Sequence, residues 1–312
     1  MAWFFVVLGL VTLLLAGDFL VRAAVNLALR LGISALVVSL TVVAFGTSAP
    51  ELLIVLSAMA DDAPGLAMGN IVGSNTANIL LVLGLPALVA GLYTTGFDTK
   101  KVFIFMILAT VLFIILAFMG PFSWWHGGLM LAVLAAILLD QAWTARRVSR
   151  VALATEDLNG VDTSMPGWKI TLYLLFGLVG LPLGAKVLVV NAEIIAREFG
   201  VPETAIGLTL IAVGTSLPEL ATTTVAAIRR QADVALGNVI GSNMFNLLAI
   251  IGIAALVGPI PVADEFLRFD LWVMLAASFL LIPFVFFGRN ITRIWGAALT
   301  LLYMAYLLVV LL

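Results

Sequence analysis

The chain has 312 residues, 63% of them hydrophobic and only 10% charged, and its mean hydropathy is +1.23; a soluble domain carries roughly 25% charged residues, so the composition excludes a soluble globule and points to an integral membrane protein. The net charge of −2, with no basic cluster interleaved with aromatics, suggests neither nucleic acid nor a strongly anionic partner. Cysteine is absent and His126 is the single histidine, which excludes thiolate and imidazole metal sites together with Ser-His or Cys-His nucleophilic machinery.

Crossing a hydrocarbon core of about 30 Å takes around 20 apolar residues in a helix, and the near absence of period-2 alternation favours helices over a barrel. The expected fold is therefore an all-α integral membrane bundle. The N-terminal MAWFFVVLGL lacks the positive n-region of a cleaved signal and reads as the start of a retained first span. Turn signals and charges divide the sequence into ten transmembrane helices, at approximately 3–29, 33–59, 66–92, 101–119, 122–143, 168–196, 202–228, 233–257, 269–287 and 290–311. The one sizeable polar segment, TARRVSRVALATEDLNGVDTSMPG, follows the fifth span, so 144–167 reads as a linker between halves 1–143 and 168–312. Its acids Glu156, Asp157 and Asp162 read as a solvated surface, with a regulatory cation site as the sharper alternative.

Loops after odd-numbered spans carry Arg30, Lys100, Lys101, Arg146, Arg147, Arg150, Arg229, Arg230, Arg289 and Arg293, against little beyond Arg197 and Arg268 on the other side. The positive-inside rule then makes the odd loops and the linker cytoplasmic, with both termini outside and the protein in the cell (inner) membrane.

VAFGTSAPELL, Val43 to Leu53, returns as AVGTSLPELA, Ala212 to Ala221. Gly46 and Gly214, and likewise Gly69 and Gly237, stand 168 residues apart, so one unit has been duplicated with no insertion between its two motifs. The motif blocks span 40–84 and 208–252. Because each unit holds five spans, equivalent helices cross the membrane in opposite directions, giving two inverted five-helix repeats of the kind secondary transporters use for alternating access.

Each half contains GTS-x-PE followed by GN-x-x-GSN-x-x-N. The first half supplies Gly46, Thr47, Ser48, Pro50 and Glu51, then Gly69, Asn70, Gly73, Ser74, Asn75 and Asn78. The second supplies Gly214, Thr215, Ser216, Pro218 and Glu219, then Gly237, Asn238, Gly241, Ser242, Asn243 and Asn246. Proline inside a helix removes a donor and clashes with the carbonyl four residues back, here Gly46 and Gly214, so both helices should break there and leave carbonyls near Ala44, Thr47, Ala212 and Thr215 facing a cavity. Irregular backbone at membrane depth survives only where it lines protein or water, and such half-helix ends hold cations in transporters. Ser74 and Asn78, and Ser242 and Asn246, are four apart and share one helix face, so each pair can present oxygens to one centre. The ligand set is all oxygen with two carboxylates, which suits Ca²⁺ and, by the same logic, Na⁺, and suits zinc or copper poorly.

Each feature has a plainer reading. Gly69, Gly73, Gly237 and Gly241 also suit close helix packing. Glu51 and Glu219 are buried acids in an apolar run, which costs at least about 2.5–3.5 kcal/mol each and makes them functional residues by default. GNIVGSN resembles a phosphate-cradling loop only formally, since it sits in an apolar span without lysine. Asp18 and Lys186 occupy equivalent positions of spans one and six, where they pair, flank a path, or serve the helix ends. His126 joins Trp124 and Trp125 in an interfacial aromatic belt.

The paired GTSxPE and GNxxGSNxxN blocks resemble the two alpha-repeats of the Ca²⁺/cation antiporter superfamily, and with the short linker the chain is most similar to prokaryotic sodium/calcium exchangers. The resemblance covers essentially the whole chain and implies a site between spans two, seven, three and eight. It implies that Glu51 and Glu219 with the carbonyls of Thr47 and Thr215 hold Ca²⁺. It assigns Na⁺ to the Ala44 and Ala212 carbonyls, the hydroxyls of Thr47, Thr215, Ser74 and Ser242, and the same glutamates, with spans one and six sliding as gates. Ser48, Ser216, Asn78 and Asn246 complete the candidate set. Where some relatives carry Asp at one position matched by Asn78 or Asn246, both are amides here, which leaves two carboxylates rather than three and bears on coupling stoichiometry and any potassium dependence.

Na⁺/Ca²⁺ antiport is thus the leading expectation, with Ca²⁺ and Na⁺ as cargo, the lipid bilayer as surroundings and no cofactor. H⁺/Ca²⁺ exchange, with Glu51 and Glu219 taking protons as calcium leaves, is the close rival. A passive cation channel is a third reading, opposed by the inverted duplication. An intramembrane hydrolase lacks a base for Ser48 or Ser216 beyond the glutamate three residues on.

Overall fold

The computed structural model describes residues 1–94, 99–148, 165–200 and 212–311. In chain order the helices are α1 (Ala2–Leu31), α2 (Ala35–Thr47), α3 (Ala49–Ala60), α4 (Pro64–Ala90), α5 (Lys100–Phe118), α6 (Trp124–Val148), α7 (Gly167–Glu198), α8 (Ala212–Thr215), α9 (Leu217–Ile228), α10 (Ala232–Val257), α11 (Phe266–Phe286) and α12 (Arg293–Leu311). Among the described residues there is no strand, and only two isolated bridges, Leu92–Ile291 and Phe122–Ile260, join neighbouring loops. Eight helices are long and apolar enough to cross a membrane, and α2 with α3 forms a ninth that is bent by 40°. The predicted span 202–228 begins outside the described residues; its described remainder is α8 and the apolar α9. Glu156, Asp157 and Asp162 also lie outside them.

The two helices with the GNxxGSNxxN motif form the core. Their most apolar windows are 83% buried, against 17–50% for the other long spans, so α4 and α10 are surrounded by protein while the rest present Leu, Phe and Trp outward. Small residues let the backbones approach. A Cβ on Gly241 would stand 2.5 Å from the Leu40 carbonyl oxygen, and one on Gly237 2.8 Å from that of Leu36, so these two glycines seat α10 against α2. The Ser39 hydroxyl adds a 2.6 Å hydrogen bond to the Val234 carbonyl. The matching Gly69 and Gly73 have only Phe266 Cζ, at 3.8 Å from Gly69, within reach among the described residues.

Backbone details recur 168 positions apart. Asp62 (φ 52°) and Arg230 (φ 59°) are the non-glycine residues with left-handed backbone among those described, and both follow a broken helix. Gly32 (φ 69°) and Gly200 (φ 74°) likewise end α1 and α7, where the left-handed turn favours glycine. The two helices run antiparallel: Gly9 lies against Leu188 and Gly184, Gly184 against Leu13, Gly180 against Ala16, and Gly177 against Leu20. Reading along these contacts, Asp18 and Lys186 fall on opposite sides of the crossing, each about 5 Å from its midpoint at 1.5 Å per residue.

Candidate cation site

The chain leaves helical geometry at Ser48 (φ −85°, ψ 1°) between α2 and α3, and at Ser216 (φ −86°, ψ 3°) between α8 and α9. Pro50 and Pro218 sit in the first turns of the helices that follow, where a missing N–H is tolerated. Neither proline has an N–H, so the carbonyls of Gly46 and Gly214 lack their intrahelical donors. The carbonyl of Ala44, expected to be bare, is not. It accepts the Ser48 N–H at 3.0 Å and the Thr47 hydroxyl at 3.3 Å, because the break falls at Ser48 and the turn before it stays closed. Ala212, the matching residue, opens α8.

All ten polar candidates, Thr47, Ser48, Glu51, Ser74 and Asn78 with Thr215, Ser216, Glu219, Ser242 and Asn246, are buried. Glu51 is 1% and Glu219 0% exposed, and each carboxylate stands within range of the other's charge. The hydroxyls of Thr47, Ser48 and Ser242 face Glu219, with Ser48 donating to its Oε1 at 3.3 Å. Thr47 Oγ1 lies 3.4 Å from Ser242 Oγ and shares its one proton between the Ala44 carbonyl at 3.3 Å and Asn238 Oδ1 at 3.2 Å. Residues of the first broken helix thus meet those of α9 and α10 at one centre. Among the described residues no group of three or more His, Cys, Asp or Glu side chains gathers, so this centre has two acids.

A second layer is made by the motif asparagines Asn75, Asn238 and Asn243, which are not among the candidate ligands, together with Asn78 and Asn246, which are. Asn78 Nδ2 donates to Asn243 Oδ1 at 3.0 Å, and reciprocally Asn246 Nδ2 donates to Asn75 Oδ1 at 3.3 Å. Asn75 Nδ2 reaches Met274 Sδ at 3.8 Å, as Asn243 Nδ2 reaches Met106 Sδ at 3.9 Å. With both amide nitrogens of Asn78 and Asn246 committed, their oxygens are the ends left over. Asn238 Nδ2 also braces α9 through the Glu219 carbonyl at 3.4 Å and Thr223 Oγ1 at 3.2 Å. The recurrent N-x-x-GSN spacing was the available signal for this layer.

Six buried oxygens on these motif segments have no hydrogen-bond partner among the described residues: Oε2 of Glu51, Oε2 of Glu219, Oδ1 of Asn70, Oδ1 of Asn78, Oδ1 of Asn246 and Oγ of Ser216. Buried polar atoms are nearly always satisfied, and five of these, the three amide oxygens and the oxygens of the ionised carboxylates, are pure acceptors. Such a constellation calls for a positive charge rather than a donor of its own making, and hard cations with oxygen ligands meet that need.

Three crevices of ≈ 400, ≈ 270 and ≈ 200 Å³ adjoin Ile54 of α3. The largest reaches Ser74, Asn70 and Thr215, the second Asp61, and the third Lys186, Gly214 and Thr215. Asp18 and Lys186 do not pair with each other; Asp18 binds Arg22 at 2.9 Å and Arg229 through two guanidinium nitrogens. His126 departs from the aromatic belt: it is 3% exposed, with Nδ1 accepting the Ser123 N–H at 3.0 Å, while Trp124 and Trp125 face outward. Its ring closes the first turn of α6 instead.

Comparison with known proteins agrees with this architecture. The model of the sodium/calcium exchanger protein family matches residues 1–143 and 169–312. The chain belongs to the sodium/calcium exchanger family. It is 36% identical to the putative antiporter CaxA of Alkalimonas amylolytica over 98% of this chain and 97% of that one. It is 34% identical to the sodium/calcium exchanger MaX1 of Methanosarcina acetivorans, covering 97% and 96%. Among solved structures, the sodium-calcium exchanger NCX_Mj soaked with zero Na⁺ and Ca²⁺ superposes with a TM-score of 0.83 at 30% identity, covering 97% of each chain. The form soaked with 2.5 mM Na⁺ and 0.1 mM Ca²⁺ gives 0.81 at 31% identity. The protein is therefore a multi-pass, all-helical membrane protein of an exchanger family, with cations as its substrates.

Proposed function

We propose that this family member exchanges Na⁺ for Ca²⁺ by alternating access, using ten helices in two inverted five-helix repeats with both termini outside. The antiparallel α1 and α7 and the recurrences at 168 residues support the inversion. The observation that carries the ion assignment is the set of six donorless buried oxygens on the motif segments. In this reading Glu51 and Glu219, with backbone carbonyls of Thr47 and Thr215, hold Ca²⁺. The hydroxyls of Thr47, Ser74, Thr215 and Ser242, the carbonyls of Ala44 and Ala212 and both glutamates serve Na⁺, and Ser48, Ser216, Asn78 and Asn246 line the same centre. Ala44 joins through the second lone pair of a carbonyl that is already hydrogen-bonded.

The asparagine layer supplies a test away from the ligands. Asn75→Ala frees the Asn246 amide to turn, and Asn243→Ala frees that of Asn78. Loss of such an orienting partner costs about 10–100-fold in ion affinity. Calcium titrations of thermal stability in detergent, with and without sodium, should show that loss for either variant, and sodium should erase the calcium-induced stabilisation of the parent. Unchanged calcium midpoints in both variants, with no sodium competition in the parent, would count against an ion centre here.

A further inference from the structure

The repeat relation that makes Asp18 equivalent to Lys186 also makes Arg229 equivalent to Asp61, since both pairs stand 168 residues apart. Arg229 is the C-cap of α9, and Asp61 is the C-cap of α3. Asp18 on α1 holds Arg229 through both Nε and Nη2, with the Asp18 side chain 22% and the Arg229 side chain 28% exposed. Along the same stretch α1 packs closely on α9, and Gly17 lies against the Ala221 carbonyl.

The equivalent partners are parted. Lys186 lines the ≈ 200 Å³ crevice and Asp61 the ≈ 270 Å³ crevice, and Ile54 lines both. Neither has an ion-pair partner among the described residues. Helix α7 makes almost no contact with α3, where α1 and α9 are in extensive contact. The charges are exchanged between the halves, acid on α1 with base on α9, and base on α7 with acid on α3, so either combination attracts.

We propose that Asp18–Arg229 and Lys186–Asp61 are alternate locks, the first closed in this structure and the second closed only when the protein opens to the other side. This rests on the alternating-access reading. Each lock ties a sliding helix to the end of a broken one, so formation of one on its own face accompanies separation of the other. Breaking Asp18–Arg229 therefore favours the state in which the crevices around Ile54 are shut. Breaking Lys186–Asp61 favours the state seen here.

The absence of cysteine gives a clean background for a reporter, Ile54→Cys, labelled with a membrane-impermeant maleimide in oriented vesicles. Arg229→Gln should slow labelling by about three- to tenfold, the range expected for a partly buried charge-assisted pair. Adding Lys186→Met to that variant should restore the rate to within about twofold of the parent, because both locks are then absent. If Arg229→Gln is poorly folded, Asp18→Asn removes the same lock. No change with either variant of the Asp18–Arg229 lock, or further slowing by Lys186→Met, overturns the inference. Labelling reports which face is open whatever ion is carried, so parent vesicles that label as predicted but move no calcium on a sodium gradient refute the functional reading alone.

Discussion

Glu51→Gln and Glu219→Gln are each expected to abolish sodium-driven calcium transport while leaving a folded protein. The amide keeps the volume of the side chain and removes half of the charge at a centre that has two acids among the described residues. Removing one charged partner from a buried ionic group costs about 3–5 kcal/mol, which is at least a hundredfold in affinity. Before calcium binds, however, the two carboxylates are fully buried and within range of each other's charge, with one oxygen of each unpartnered. Neutralising either relieves that cost. The ion-free variants should therefore melt higher than the ion-free parent, and calcium should no longer raise their melting temperature. Detergent-solubilised protein with and without calcium checks both halves of the statement. A variant that keeps near-parent transport places the ion elsewhere.

Exchange at three Na⁺ per Ca²⁺ should respond strongly to voltage. With Glu51 and Glu219 ionised, one Ca²⁺ leaves the centre near neutral and three Na⁺ leave it near +1, so the sodium-loaded form carries the charge. One net charge is worth about 2.3 kcal/mol per 100 mV, enough to multiply the calcium gradient roughly fiftyfold at that potential. An inside-negative potassium/valinomycin potential should accelerate sodium-driven calcium extrusion from oriented vesicles. Voltage-independent exchange that still needs sodium means two-for-one coupling, and the amides at Asn78 and Asn246 are then the residues to convert to aspartate.

Much of the centre was legible because its chemistry is local. Gly, Ser and Pro in one apolar run announce a break, and an acid within it marks a candidate ligand; the structure puts the breaks at Ser48 and Ser216 with Glu51 and Glu219 just beyond. The position of the break relative to Ala44 was not legible, because proline chemistry says which donor is missing and not how the preceding turn closes. Nor were the pairings Asn78–Asn243 and Asn75–Asn246, which need two helices more than 160 residues apart in sequence to cross at one point. Besides Arg22, one turn on in α1, Asp18 has a second partner, Arg229, that lies 211 residues away, and no periodicity within α1 signals it. The place of His126 was not legible for a related reason: its tryptophan neighbours belong to the exposed side of α6, and one helical step turns the imidazole inward.

Isotopic calcium uptake into proteoliposomes, with sodium and pH gradients imposed separately, tests sodium/calcium antiport most directly. An outward sodium gradient should drive calcium in, and collapsing it should stop uptake at once, with no contribution from a pH gradient. Calcium uptake driven by a proton gradient in the complete absence of sodium would contradict the account and make Glu51 and Glu219 proton carriers instead.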